Sequence, residues 1–392
     1  MHNPLIFNGF FLLRFITCPV MKVILMMAFF CRRLGVMDLL LFWGLVFPAV
    51  ITGQVPVSEA LTIEHGLSQG MVFDLLQTRD GFLWIGTKDG LNRYDGHNFR
   101  VWSNNPSNPY TLSDNTVTAL FEDSRGWLWI GSENQGVNLM DRKRERFYHI
   151  SLPAIAPENK EVLYDVRRIN EDKYGNIWIV NRGGGLYRLS IPDTWKNALP
   201  KTPNLGMLTT LTPVKIPRSE DPKKGLQEEF LDLCMLQDGN ICVGSSKGLY
   251  QVDSRTLQTK RIQTPPGFPK EAGSLLQTSS GEIWGASRNS VFNFQNGIFK
   301  HFTVGNNLEI GTSPTLQTDK TGSIWVLFET KLWRLTPQRG FDPAHPDYVL
   351  DRPANTLALD IQGNIWVGTL GYGLRKITPR KSVFRSSLQG TS

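Results

Sequence analysis

The chain is short of the residues from which most catalytic and metal centres are built. Its 392 residues include four cysteines and six histidines. Cys18 and Cys31 fall in an apolar N-terminal stretch. Cys234 and Cys242 fall in successive strand-like segments and read as buried free thiols, because cross-strand disulfides are uncommon. His2, His65, His97, His149, His301 and His345 include no pair at metal-ligand spacing, so no metal and no cofactor is expected. There is no Gly-x-Ser-x-Gly, no P-loop and no Gly-x-Gly-x-x-Gly after a strand. Arg182-Gly-Gly-Gly185 is glycine-rich but joins two strand-like segments, which argues against a phosphate cradle at a helix start. Beyond the first sixty or so residues no long segment carries the 3.6-residue apolar period of a helix. Charge of one sign is also scarce. The formal +7 includes Arg14, Lys22, Arg32 and Arg33 against Asp38 in the N-terminal stretch, which leaves +4 for the rest. That is too little to demand nucleic acid.

One phrase is abundant. Asp-x-x-Gly-x-hydrophobic-Trp-hydrophobic-Gly, or a close variant, occurs seven times, with turn glycines at Gly81, Gly126, Gly175, Gly239, Gly281, Gly322 and Gly363. Three residues after the glycine stands Trp84, Trp129, Trp178, Trp284, Trp325 or Trp366, and Cys242 in the fourth copy. A β-rich unit recurring about every forty residues is the signature of a propeller blade. The second copy is the clearest: Val117–Phe121, Trp127–Ile130, Val137–Met140 and Arg146–Ile150 read as four short strands joined by turns. The expected fold is therefore all-β, a seven-bladed propeller with four antiparallel strands per blade. The repeated Trp residues read as packing between blades, and the repeated Asp residues as turn formers and not as catalytic carboxylates.

The expected organisation is a leader or membrane-anchor segment over 1–56, the propeller over 57–387 and a short tail over 388–392. Arg32-Arg33 followed by Leu39–Val46 and Pro48–Gly53 resembles a signal peptide, and Asp38, Gly44 and Pro48 interrupt it too often for a spanning helix. Export is expected, with an uncleaved anchor as the alternative. Either Arg380–Phe384 or Leu61–Ile63 is placed to complete the last blade. The long segment Pro192–Gln227, with Trp195, Pro217, Pro222, Lys223 and Lys224, reads as an elaborated surface loop.

Two stretches carry a family resemblance. Gly66–Val72 running through Asp80–Gly86 to Gly90–Asp95, and Pro106–Asn115 followed by Val117, Asp123, Gly126 and Leu128–Gly131, resemble the repeat of two-component regulator propellers. The resemblance implies a periplasmic sensor propeller of a hybrid histidine kinase, a class in which many members respond to oligosaccharides. It implies as partners an oligosaccharide or other small ligand, a second propeller, a β-sandwich and kinase module, or a homodimer partner. No kinase His box, nucleotide motif or receiver Asp is present up to Ser392, so phosphotransfer is not carried over to these residues and no enzyme activity is expected. The alternatives are a propeller enzyme such as a glycan-active lyase, or an interaction scaffold. Ligand contacts are expected on the rim formed by the turns between second and third strands, at Lys88, Asp89, Asn134, Gln135, Asn181, Arg182, Arg288, Asn289 and Tyr372. These residues vary between repeats, as recognition requires and packing does not.

Overall fold

Asp123 shows how one repeat becomes a hairpin. Its carbonyl accepts the Gly126 N–H at 3.0 Å, and Oδ1 accepts the N–H groups of Arg125 and Trp127 at 3.0 and 2.9 Å. Gly126 closes the turn at φ +81°, a conformation that glycine adopts without strain. The other carboxylate oxygen accepts the indole N–H of Trp129 at 3.1 Å. One side chain thus folds the turn and anchors the large ring of the strand that leaves it. Asp172 with Trp178 (2.8 Å), Asp319 with Trp325 (3.1 Å) and Asp360 with Trp366 (2.9 Å) repeat the tie. In the first blade the Thr78 hydroxyl takes the carboxylate's place (3.0 Å), and in the fifth Glu282 does so (2.7 Å). The fourth blade has Leu236 and Cys242 instead and lacks both halves of the tie.

The computed structural model describes residues 58–152, 165–183, 185–196, 199–205, 210–216, 228–304, 314–336 and 340–379. The leader, the tail, Arg380–Phe384 and the Pro217, Pro222, Lys223 and Lys224 of the long segment lie outside the described residues. Seven four-stranded antiparallel sheets are present, and the helical residues described form only two short 3-10 turns, Ile63–His65 and Asp193–Lys196. The second sheet has strands Val117–Glu122, Leu128–Ser132, Val137–Asp141 and Arg146–Ile150. The other innermost strands are Val72–Gln77, Val166–Glu171, Phe230–Met235, Ser274–Gln277, Thr315–Thr318 and Ala354–Leu359. Six blades use consecutive strands. The seventh takes its outermost strand from the start of the propeller, where Ser58–Leu61 pairs antiparallel with Leu374–Ile377.

The six repeated Trp side chains are at most 7% exposed, as a packing role demands. The glycine that ends the phrase has a separate steric reason. A Cβ on Gly131 would lie 2.6 Å from Val166 Cγ1, and one on Gly368 the same distance from Val72 Cγ1. Glycine lets the innermost strand of the following blade approach the second strand of its neighbour. The expectation of a surface loop over Pro192–Gln227 needs correction. Thr210–Val214 is the outermost strand of the third blade, and Trp195 and Leu205 are 4% and 0% exposed. Trp195 lies 6.4 Å from Trp127 and joins the core between blades two and three, where burying so large a ring is favourable.

Each innermost strand is paired on one side only, which leaves main-chain groups facing the axis. Side chains link neighbouring blades in turn, meeting such a main-chain group at six of the seven steps and pairing Arg168 with Asp232 at the other. Asp74 Oδ2 accepts the Leu120 N–H at 2.8 Å, and Thr118 Oγ1 donates to the Val166 carbonyl at 2.8 Å. Arg168 Nε donates to Asp232 Oδ1 at 2.7 Å, and Asp232 Oδ2 accepts the Leu275 N–H at 2.7 Å. Ser274 Oγ accepts the Leu316 N–H at 3.1 Å, and Thr315 Oγ1 donates to the Asn355 carbonyl at 3.0 Å. Asn355 Nδ2 donates to the Val72 carbonyl at 3.3 Å and returns the circle to the first blade.

Two outcomes follow in urea denaturation. Trp129→Ala costs about 3–5 kcal/mol, against less than about 0.5 kcal/mol for exposed Lys88→Ala. Asp232→Ala, which strips Arg168 and the Leu275 N–H of a partner at once, destabilises more than Ser274→Ala, which strips only the Leu316 N–H. Equal midpoints within either pair would refute the assignment.

Candidate functional site

The turns between second and third strands share one rim with the connections between blades, and main-chain bonds join the two. Lys88 N–H donates to Met71 O (3.2 Å), Glu133 N–H to Thr116 O (3.1 Å), Arg182 N–H to Asp165 O (2.9 Å) and Ser246 N–H to Glu229 O (2.8 Å). A buried hydroxyl closes most of these turns from beneath. Thr87, Ser132, Ser245 and Thr369 donate to the carbonyls of Gly90, Gly136, Gly248 and Gly373. Asn181 stands at that position in the third blade and is fully buried, so the expectation of an exposed ligand contact there is corrected.

The remaining expected residues do lie on this rim, in the turns of five different blades. Lys88, Asp89, Asn134, Gln135, Arg288, Asn289 and Tyr372 are exposed, and Arg182 is half-buried. Asp89 accepts from Asn115 at 3.0 Å, and Asn134 donates to Asp114 at 3.1 Å through its N–H. Arg182 Nε lies 3.8 Å from both Asp165 and Glu229, and the Arg352 guanidinium sits 4.4 Å over the Tyr372 ring. They do not converge on one point. Only Arg288 and Asn289 line a described cavity.

That cavity, of about 470 Å³, opens on the rim between blades four and five. Ser246, Lys270, Glu271, Arg288, Asn289, His301 and Thr303 supply most of its polar lining. One wall is the connection 263–273. The Phe268 N–H donates to the Pro265 carbonyl at 3.2 Å, with Gly267 at φ +81°, so Pro266 and Gly267 occupy the two corners that a type II turn assigns to them. The Phe268 ring is 8% exposed and packs edge-on against Phe292 and Phe299 at 4.9 and 5.1 Å, which anchors the wall. Among the described residues, the side chains of Lys270, Asn289 and Thr303 make no hydrogen bond and no ion pair, and His301 makes only an edge contact with Phe268. Arg288 pairs with Glu271 at 3.0 Å.

A second cavity of about 260 Å³, at the perimeter between blades one and two, is different in kind. Arg146 covers Tyr110 at 4.8 Å, and Tyr110 donates its hydroxyl proton to the Lys201 carbonyl. Arg144 pairs with Asp141 at 2.8 Å, and Glu145 with Arg100. Its charged groups are spent on internal contacts, whereas the rim cavity keeps Lys270 unpaired among the described residues beside the Arg288–Glu271 pair. Lys270, His301 and Thr303 were not legible as site residues because they come from a connection and an outermost strand, neither of which carries the repeated phrase. The Pro265-Pro266-Gly267 run was the available signal of a shaped loop. Among the described residues no cluster of His, Cys, Asp and Glu is arranged to hold a metal, and no helix is long and apolar enough to cross a membrane.

The family described as two component regulator propeller matches residues 66–89 and 111–134, which carry the first two repeats. Histidine kinase P4 of Formosa agariphila is 24% identical over 42% of this chain and 19% of its own length, so the match spans about a fifth of that kinase. Among solved structures, the extracellular domain of the putative hybrid two component system BT3049 from B. thetaiotaomicron superimposes with a TM-score of 0.60 at 20% identity, covering 82% of this chain and 42% of that one. Virginiamycin B lyase from Staphylococcus aureus superimposes with a TM-score of 0.58 at 14% identity, covering 82% and 99%. At such identities the superpositions establish the fold.

Two carboxyl groups near the axis and the rim are held in an unfavourable charged state. Burial pushes Asp74 up to about 6 against the opposing charge of Arg168, and burial pushes Asp165 up to about 6 against that of Arg182. An acid whose pKa is higher in the folded than in the unfolded chain binds more protons when folded, so its contribution to stability falls as pH rises from about 4 to 6 and stays lost above. The double variant Asp74→Asn/Asp165→Asn keeps amide oxygens as acceptors. Its urea midpoint should fall less than that of the unaltered protein between pH 4.5 and 7, values chosen to bracket about 6. Parallel pH profiles would refute the assignment.

Proposed function

We propose that this chain, which carries two-component regulator propeller repeats on a seven-bladed ring, is the ligand-sensing part of a two-component signalling system and recognises an oligosaccharide. The observation that carries the reading is a rim cavity whose Lys270, Asn289, His301 and Thr303 keep their hydrogen-bonding capacity unspent. Sugar hydroxyls pair with such groups. Support for the signalling context comes from the two matched repeats, and from the histidine kinase and the extracellular domain of a putative hybrid two component system that share part of their length with this chain.

On this reading the propeller is exported and works on the periplasmic side of the inner membrane. Its partners are a second propeller, a β-sandwich and kinase module, or a second copy of the chain. Ligand acts by population shift: it binds one arrangement of propeller and partner more tightly, and the difference in affinity is the free energy available to the kinase. The propeller itself performs no chemistry. Purified protein incubated with a library of glycan fragments should show saturable binding in calorimetry and leave every glycosidic bond intact. Bond cleavage would move the protein to the enzyme class, and an absence of binding across the library would leave an interaction scaffold.

A further inference from the structure

We infer that the rim cavity between blades four and five is selective for an acidic oligosaccharide, one that carries a carboxylate on its sugar rings. The inference rests on the proposed oligosaccharide reading and adds the charge of the ligand and the residues that select it.

The charges around the cavity do not cancel. Glu271 is engaged by Arg288 at 3.0 Å, while the Lys270 ammonium has no partner among the described residues. Arg288 meets Glu271 through Nε, and a guanidinium has four further N–H groups with which to grip a carboxylate. Among the described residues the lining therefore carries one net positive charge, and an anionic ligand group is the natural complement. The lining also argues against a neutral, stacked sugar. Phe268 is turned into the core against Phe292 and Phe299, so among the described residues the cavity offers His301 and otherwise no aromatic ring for a pyranose face. Recognition then falls to hydrogen bonds and charge. The Asn289 amide and the Thr303 hydroxyl both donate and accept, which matches ring hydroxyls. A small inorganic anion would leave most of about 470 Å³ empty, whereas a ligand site of this size accommodates sugar units.

The preformed wall fits this role. Its Pro265–Phe268 turn is fixed by a main-chain bond and by the buried Phe268 ring two residues before Lys270. The ammonium is thus carried on an ordered support, and less ordering is needed on binding.

The test is calorimetry with the full chain against uronate oligosaccharides (galacturonate, glucuronate and mannuronate oligomers) and their uncharged hexose counterparts, at low and high salt. The acidic ligands should bind at least tenfold more tightly than the neutral ones, and that advantage should shrink with added salt, since the cations are solvent-accessible. Lys270→Glu should weaken acidic binding at least tenfold. Lys320→Glu, an equal charge change in a first-to-second-strand turn on the opposite rim, should leave it unchanged. Urea midpoints of both variants should match the unaltered protein, because neither lysine anchors the core. Equal affinity for charged and neutral ligands, or no response to Lys270→Glu, overturns the inference. Binding confined to neutral glycans overturns it and leaves the sensing function standing, whereas no binding to any glycan removes both.

Discussion

An innermost propeller strand has a sheet partner on one side and the axis on the other, and its free N–H and C=O groups need partners of their own. The closed circle of side-chain bonds from Asp74 to Asn355 answers that constraint. Each link runs from one blade to the next, so the same bonds that satisfy the edges also set how neighbouring blades abut. The Trp packing between blades and the glycines at Gly131 and Gly368 depend on that spacing. Seven separately hydrogen-bonded sheets are in this way made into a ring.

What was legible in the sequence is what each blade does identically. Turn glycine, Trp and terminal glycine perform the same steric task in blade after blade, so the same residue types recur and the architecture can be read from them. The Asp–Trp bond was half legible: the turn role of Asp123 follows from its spacing, but its grip on the Trp129 indole appears only in three dimensions. The axial circle was hidden because its task differs at every step. Where an N–H must be met, Asp74, Asp232 and Ser274 serve as acceptors, and where a carbonyl must be met, Thr118, Thr315 and Asn355 serve as donors. Asn181 misled for a related reason. It stands in line with Thr87 and Ser132, whose hydroxyls sit beneath the turn, and it is drawn into the interior with them.

The cavity lies where the repetition is weakest. Blade four lacks the carboxylate–indole tie, and the connection to blade five, 263–273, carries Pro265, Pro266 and Pro269. A strictly regular ring would present identical turns and no distinctive cleft. Departure from the repeat is what makes room for a site. The rim residues of the other blades, from Lys88 to Tyr372, form a border whose contacts are mostly local, such as Asp89 with Asn115 and Arg352 with Tyr372.

The seventh blade has a mechanical corollary. Ser58 lies opposite Ile377 and Leu61 opposite Leu374, so the propeller is entered and left at the same end of one strand pair. Tension applied between these two points does not shear the pair, in which case all its bonds would resist together. It opens them in succession, beginning with Ser58 and Ile377. The seam is thus the compliant point of the ring under directed load. A pull transmitted through flanking segments would be felt at this seam before any other blade yielded.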